Sequence, residues 1–88
     1  MGDNMLKKEE IEPYWTEVAN KHLKGKTVKR VRYLTEEEME DMLWYCRPVV
    51  IIFEDGTAIY PSQDDEGNDA GSILGIEGKK NFILPVIR

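Results

Sequence analysis

Residues 47–71 read R-P-V-V-I-I-F-E-D-G-T-A-I-Y-P-S-Q-D-D-E-G-N-D-A-G, and the fold turns on how this run is parsed. Val49, Val50, Ile51, Ile52 and Phe53 make a continuous apolar block of strand length, the pattern of a strand covered on both faces. Asp55-Gly56 follows it and is the strongest short hairpin signal in the chain, because a type I′ turn needs positive φ at both central residues. Residues 57–60 then return antiparallel. From Pro61 the chain becomes an acidic, glycine-punctuated loop carrying Asp64, Asp65, Glu66, Asn68 and Asp69, expected to stand out into solvent.

Upstream, Pro48 closes a short helix whose start is marked unusually fully. Thr35 as N-cap and Glu38 three residues on form a capping box, and Leu34 with Met39 fits a hydrophobic staple. The helix is expected to end near Leu43 or Trp44, with Met39, Met42 and Leu43 inward and Glu36, Glu37, Glu40 and Asp41 outward. Residues 26–34 before it are β-prone, but Val28 and Val31 are three apart, so a β-bulge near Lys29 and Arg30 is needed to keep one face. The first element spans about residues 9–23, where Ile11, Trp15, Val18 and His22 recur at the spacing of one helical face. Pro13 places the regular start of that helix near Glu12, and Gly25 supplies a left-handed stop.

Downstream of the loop, residues 72–77 and 82–87 read as two further strands around a Gly78-Lys79-Lys80-Asn81 turn, with Pro85 confining the last to an edge or a bulge. The expected fold is α+β and mostly β. It is a five-stranded antiparallel, SH3-like half-open barrel with an N-terminal helix packed on it through Trp15 and a short second helix after strand 1; a flat meander with two helices on one face is the alternative.

At 88 residues the chain is expected to be a single domain, residues 1–88, with a flexible terminus over residues 1–8. Hydrophobic content of 41% beside 33% charged residues is that of a globular protein. The longest apolar run is far short of the roughly 20 residues of a membrane span, so no membrane partner is expected. The N-terminal residues show neither a secretory h-region nor a myristoylation pattern, since Leu6 stands where Ser or Thr is wanted. One cysteine, Cys46, has no internal partner, which points to a reducing compartment and hence the cytoplasm. A net charge of -5 disfavours non-specific attachment to nucleic acid or anionic lipid.

The segment V-x-x-V-R-Y-L-T-E-E-E-M-E-D-M-L-W-Y-C-R-P-V-V-I-I-F-E-D-G-T-A-I-Y-P-S-Q-D-D-E-G-N-D-A-G-S-I-L resembles a group of short uncharacterised bacterial and phage-encoded proteins. These carry a tryptophan and Arg-Pro before an apolar strand, then Asp-Gly and an Asp-Asp-Glu-Gly-Asn box. The similarity covers residues 28–74, and the acidic box is its most specific part. The group is expected to have glycine before the tryptophan, where this chain has Leu43. It implies boundaries and no activity.

Three surfaces carry candidate chemistry. Trp44, Tyr45 and Arg47, beside a loop with Ser62, Asp64, Asp65, Glu66, Asn68 and Asp69, form the aromatic-plus-arginine combination enriched in protein interfaces, so a protein partner is the leading expectation. Asp64, Glu66, Asn68 and Asp69 are also closely spaced oxygen donors of the kind calcium or magnesium takes, although EF-hand spacing is absent; an Asx-turn network is the plainer account. Lys26, Lys29, Arg30, Arg32 and Tyr33 would let the first strand contact nucleic acid, against the plainer role of a charged edge strand that resists aggregation. No catalytic residue is assigned. His22 and Cys46 are single copies of their types, and the chain has no phosphate loop, dinucleotide fingerprint, zinc-ligand spacing or nucleophile elbow. The expected protein is a non-enzymatic binding module without a cofactor, with a cation or nucleic-acid binder as the alternative.

Overall fold

The structure is a computed structural model that describes residues 7–88. The terminus expected to be flexible therefore lies outside the described residues except at Lys7 and Lys8, which begin the first helix. Element order is α1 (Lys8–Leu23), β1 (Val28–Tyr33), α2 (Glu36–Asp41), β2 (Val49–Phe53), β3 (Ala58–Ile59), β4 (Ile73–Glu77) and β5 (Lys80–Leu84). All strand pairing is antiparallel, and it divides three and two: β1-β2-β3 in one sheet, β4-β5 in the other. The fold is thus α+β and mostly strand, as expected, but the two sheets are not closed into a barrel. The C-terminal segment is tied to the first sheet at the start of β2. The Arg47 N–H donates to the Ile87 carbonyl at 2.7 Å and the Ile87 N–H returns to the Arg47 carbonyl at 3.0 Å.

β2 is central because its block of branched side chains finds cover on both sides: Val49, Val50 and Phe53 are buried. Val50 joins Leu34, Trp44 and Ala70 in the core cluster, with Met39, Met42, Cys46, Ile52 and Val86 packed against it. On the β1 side the register slips between Val28 and Arg30, so the bulge needed by the valine spacing is present.

The hairpin after β2 is antiparallel as expected, yet its turn differs from type I′. Only Gly56 has positive φ, at 92°; the Gly56 N–H donates to the Phe53 carbonyl and the Phe53 N–H to the Thr57 carbonyl. That is a three-residue Glu54-Asp55-Gly56 loop with glycine at its left-handed corner, the usual alternative to a two-residue turn. Asp55 holds it by accepting from the Thr57 N–H at 2.9 Å, and Lys26 reaches both Asp55 and Thr57. The β4-β5 turn is also shorter than expected. Glu77 pairs with Lys80, leaving Gly78-Lys79 as the turn and placing Pro85 just after β5 instead of within it.

The largest departure is α1. It begins one turn earlier than Pro13 suggested, because Glu10 accepts from the Lys7 N–H at 3.0 Å and closes the first turn. Pro13 sits inside it, so the Glu9 carbonyl lacks its usual N–H partner there. None of its residues is buried, and Trp15, expected against the sheet, is 45% exposed. Trp15 stacks edge-on against Tyr14 at 5.0 Å between ring centres. Gly25, with φ of 77°, ends the helix as expected.

Candidate functional site

The capping box that opens α2 is complete: Thr35 Oγ1 accepts from the Glu38 N–H at 3.1 Å, and Glu38 Oε1 accepts from the Thr35 N–H at 2.9 Å. The helix then runs for six residues only. Its end is a Schellman turn, in which the Leu43 N–H donates to the Glu40 carbonyl and the Trp44 N–H to the Met39 carbonyl, both at 3.0 Å. The residue at the left-handed corner is Leu43, with φ of 61°, where glycine is the usual choice. This geometry reverses the expectation that Leu43 points inward: it is 83% exposed. It also swings Trp44 into the core, 5% exposed, and throws Tyr45 out at 80%.

Trp44 is the pivot between core and acidic loop. Its indole N–H donates to the Gly67 carbonyl, 2.6 Å away, and its ring meets Tyr60 edge-on at 5.9 Å. From the other side, one carboxylate oxygen of Asp69 accepts from the backbone N–H groups of Tyr45 at 3.1 Å, Cys46 at 3.2 Å and its own neighbour Ala70 at 2.8 Å. These donors hold the Asp69 carboxyl below its ordinary value, that of Ala70 contributing most. The loop's base is closed by the Ser62 and Ala70 bridge, and by the Gly71 N–H donating to the Pro61 carbonyl at 3.0 Å. A side chain at Gly71 would meet the Ser62 carbonyl oxygen at 2.8 Å, so glycine is the residue this close approach admits.

Asp64 organises the tip. It accepts from the N–H groups of Glu66 at 3.0 Å and Asn68 at 3.2 Å, while the Asn68 amide reaches its second oxygen at 2.9 Å. The Asn68 side chain is the first cause of its lowered pKa, ahead of the backbone donors. Ser62 Oγ spans the loop, donating to the Asp64 and Asp69 carbonyls. Of the candidate cation ligands, Asp64, Glu66 and Asp69 thus accept from the loop's own donors, and the Asn68 amide is one of those donors. Among the described residues, no three His, Cys, Asp or Glu side chains group as a metal site.

The other expected site residues divide. Arg47 faces inward instead of lying on the partner patch. Its guanidinium donates to the Leu34 carbonyl at 3.1 Å and the Arg88 main-chain oxygen at 2.8 Å, and its Nε is buried without a partner. Just before β1, Lys26 is engaged with Asp55, and on β1, an edge strand, Arg32 is engaged with Glu38 at 2.9 Å and the Tyr33 carbonyl at 3.0 Å. The Tyr33 hydroxyl donates to the Pro85 carbonyl at 2.8 Å; Lys29 and Arg30 are exposed. The expected basic strip is therefore partly consumed by the fold. His22 is exposed on α1, not inward, and Cys46 is half-buried against the core cluster.

Beside the Trp44 pivot lies an open cleft of about 290 Å³, lined by Leu34, Met42, Val50, Ala58 and Tyr60, with the Arg32–Glu38 pair and Asp41 also on its wall. Sequence reasoning missed both this cleft and Leu43. Acidic residues flank Leu43 and Tyr45 in the chain, Glu40 and Asp41 at the end of α2, and Asp69 holds the Tyr45 backbone. No protein-family model matches this chain, and no curated protein or solved structure is similar to it at a significant level.

Proposed function

We propose that the chain is a non-enzymatic binding module whose partner is a protein segment combining basic and apolar side chains. The observation that carries this reading is the turn at 42–45. A leucine occupies a left-handed backbone position that costs an L-residue about 1–2 kcal/mol, and it does so fully in solvent, beside an equally exposed tyrosine. Strain without packing return is the mark of a residue kept for contact. The neighbouring apolar cleft would take a partner side chain, and the acidic loop with the acids of α2 would favour lysine or arginine around it. Within the set expected from sequence, Tyr45 and the loop residues Ser62, Asp64, Asp65, Glu66 and Asn68 carry the contact, while Trp44, Arg47 and Asp69 position them.

A half-open, SH3-like relation between the two sheets belongs to the same reading, supported by the bridge from Arg47 to the C-terminal segment. The lone Cys46 supports a reducing, cytoplasmic setting. Among the described residues no helix is long and apolar enough to cross a membrane. The test is capture from a lysate by immobilised wild type and by a Leu43→Gly/Tyr45→Ser double variant, each at low and high salt. The double variant should stay folded and lose the salt-sensitive proteins that the wild type retains. Equal capture by both overturns the reading.

A further inference from the structure

The cleft beside Trp44 opens onto an unpaired strand edge. The Phe53 N–H donates to the Thr57 carbonyl, which makes these two a hydrogen-bonded pair. By the alternation of an antiparallel ladder, Ile52 opposite Ala58 is then a non-bonded pair and Ile51 opposite Ile59 a bonded one. Ala58 therefore turns its N–H and carbonyl away from β2, and Tyr60 is the next residue in the same phase. β3 is the last strand of its sheet, and no main-chain group elsewhere in the described residues bonds these atoms. The opposite edge, β1, carries Lys29, Arg30 and a register slip, all of which discourage a further strand. Ala58, Ile59 and Tyr60 bring neither charge nor bulge to theirs.

The same two residues, Ala58 and Tyr60, line the cleft, with Leu34, Met42 and Val50 as its other apolar walls. A strand laid along β3 would thus send alternate side chains into it. The volume of about 290 Å³ lies at the foot of the range for pockets that enclose a small molecule, and suits a single side chain. Charge selects which one. Arg32, Glu38 and Asp41 also line the cleft. Arg32 and Glu38 are paired with each other at 2.9 Å, whereas Asp41 makes no ion pair among the described residues. Asp41 moreover closes α2, an end at which the helix dipole disfavours a carboxylate. An aliphatic stem tipped by a cation answers both the apolar walls and the free carboxylate.

We propose that the partner segment is an extended basic peptide that pairs with the outer edge of β3 and seats one lysine or arginine in the cleft, its cation against Asp41. This rests on the reading above of a basic and apolar partner, and it adds that segment's conformation and its anchor. Ala58 and Tyr60 offer two donors and two acceptors, and Pro61 ends the edge, so main-chain pairing aligns the peptide and the cleft selects its side chain.

NMR of the 15N-labelled full chain, titrated with a capped nonapeptide of alternating threonine and lysine, tests this. The peptide should shift the Ala58 and Tyr60 amides and slow their exchange with solvent. Glutamine in place of its lysines should weaken binding, and Asp41→Asn should weaken it roughly two- to fivefold, as loss of a partly exposed ion pair does. That variant breaks no ion pair of the chain and should fold normally. Of two peptides N-methylated at alternate residues, one should lose the contact and the other keep it, since a strand shows alternate N–H groups to each edge. Equal binding by those two peptides, or by Asp41→Asn and wild type, overturns the proposal. Shifts confined to residues 43–45 and 62–69, with Ala58 and Tyr60 unmoved, overturn it and leave the binding-module reading standing. An absence of shifts at millimolar peptide overturns it too, and lysate capture by the Leu43→Gly/Tyr45→Ser variant judges the broader reading separately.

Discussion

Replacing Leu43 with glycine should make the protein more stable, although it deletes a large apolar side chain. In the left-handed conformation, φ of 61°, the leucine Cβ crowds the following carbonyl at a cost of about 1–2 kcal/mol. Glycine removes that cost and adds about 0.5–1 kcal/mol of backbone entropy lost on folding. The side chain contributes little else, since Leu43 is 83% exposed and buries almost no apolar area. The balance runs from about zero to a gain of about 1.5 kcal/mol, or up to roughly 12 °C in Tm for a domain of this size. Urea titration followed by tryptophan fluorescence should show a higher midpoint at unchanged slope. Leu43→Ala separates the two contributions: it removes the side chain, keeps the strained φ and should leave stability within about 0.5 kcal/mol of wild type. A Leu43→Gly variant less stable than wild type would refute the reasoning, since it would mean that the leucine packs against its own chain.

Asp69→Ala removes an oxygen that three backbone N–H groups share and should lower Tm, with a change in Trp44 fluorescence as the loop leaves the indole. An unchanged melt would mean the loop is held without it. Glu38 is lowered to about 2, chiefly by Arg32, and Asp55 to about 2, chiefly by the Thr57 N–H. Folded-state values below the unfolded ones give stability that is complete above the ordinary carboxylate range and lost as pH falls through it toward 2. Tm should therefore be flat near neutrality and fall below about pH 4; a Tm that holds down to pH 2 would refute the assignment. Millimolar calcium should leave both the melt and the loop's amide signals unmoved, because the carboxylates of Asp64 and Asp69 already hold backbone donors; a rise in Tm would restore the cation reading.

Much of the fold was legible because it is written in local signals. Thr35 and Glu38 announce a helix start by side-chain chemistry that needs no tertiary contact, and Asp55-Gly56 announces a turn in the same way. The spacing of Val28 and Val31 required a bulge and one is there. What failed was the choice between two tryptophans. A Schellman turn commonly packs its last residue against the residue that begins the motif, here Trp44 and Met39. Had residue 43 been glycine, the motif would have been readable and Trp44 placed in the core. Leucine at that corner hid the signal, and with it the exposure of Leu43 and Tyr45. Arg47 was misplaced for a different reason: its partners, the Leu34 carbonyl and the Arg88 main-chain oxygen, are brought to it only by the tertiary fold.

The misreading of α1 is of another kind. A stripe at helical spacing says that a face wants cover; it does not say whether the cover is intramolecular. Here α1 contributes no buried residue, and Trp15 remains at the surface. The surface built by α2, the 42–45 turn and the acidic loop shares no residue with α1, so the two are separable by mutation: Tyr45→Ser should lose the partner, whereas Trp15→Lys should leave that contact unchanged, and loss of capture by Trp15→Lys would show that α1 takes part in it.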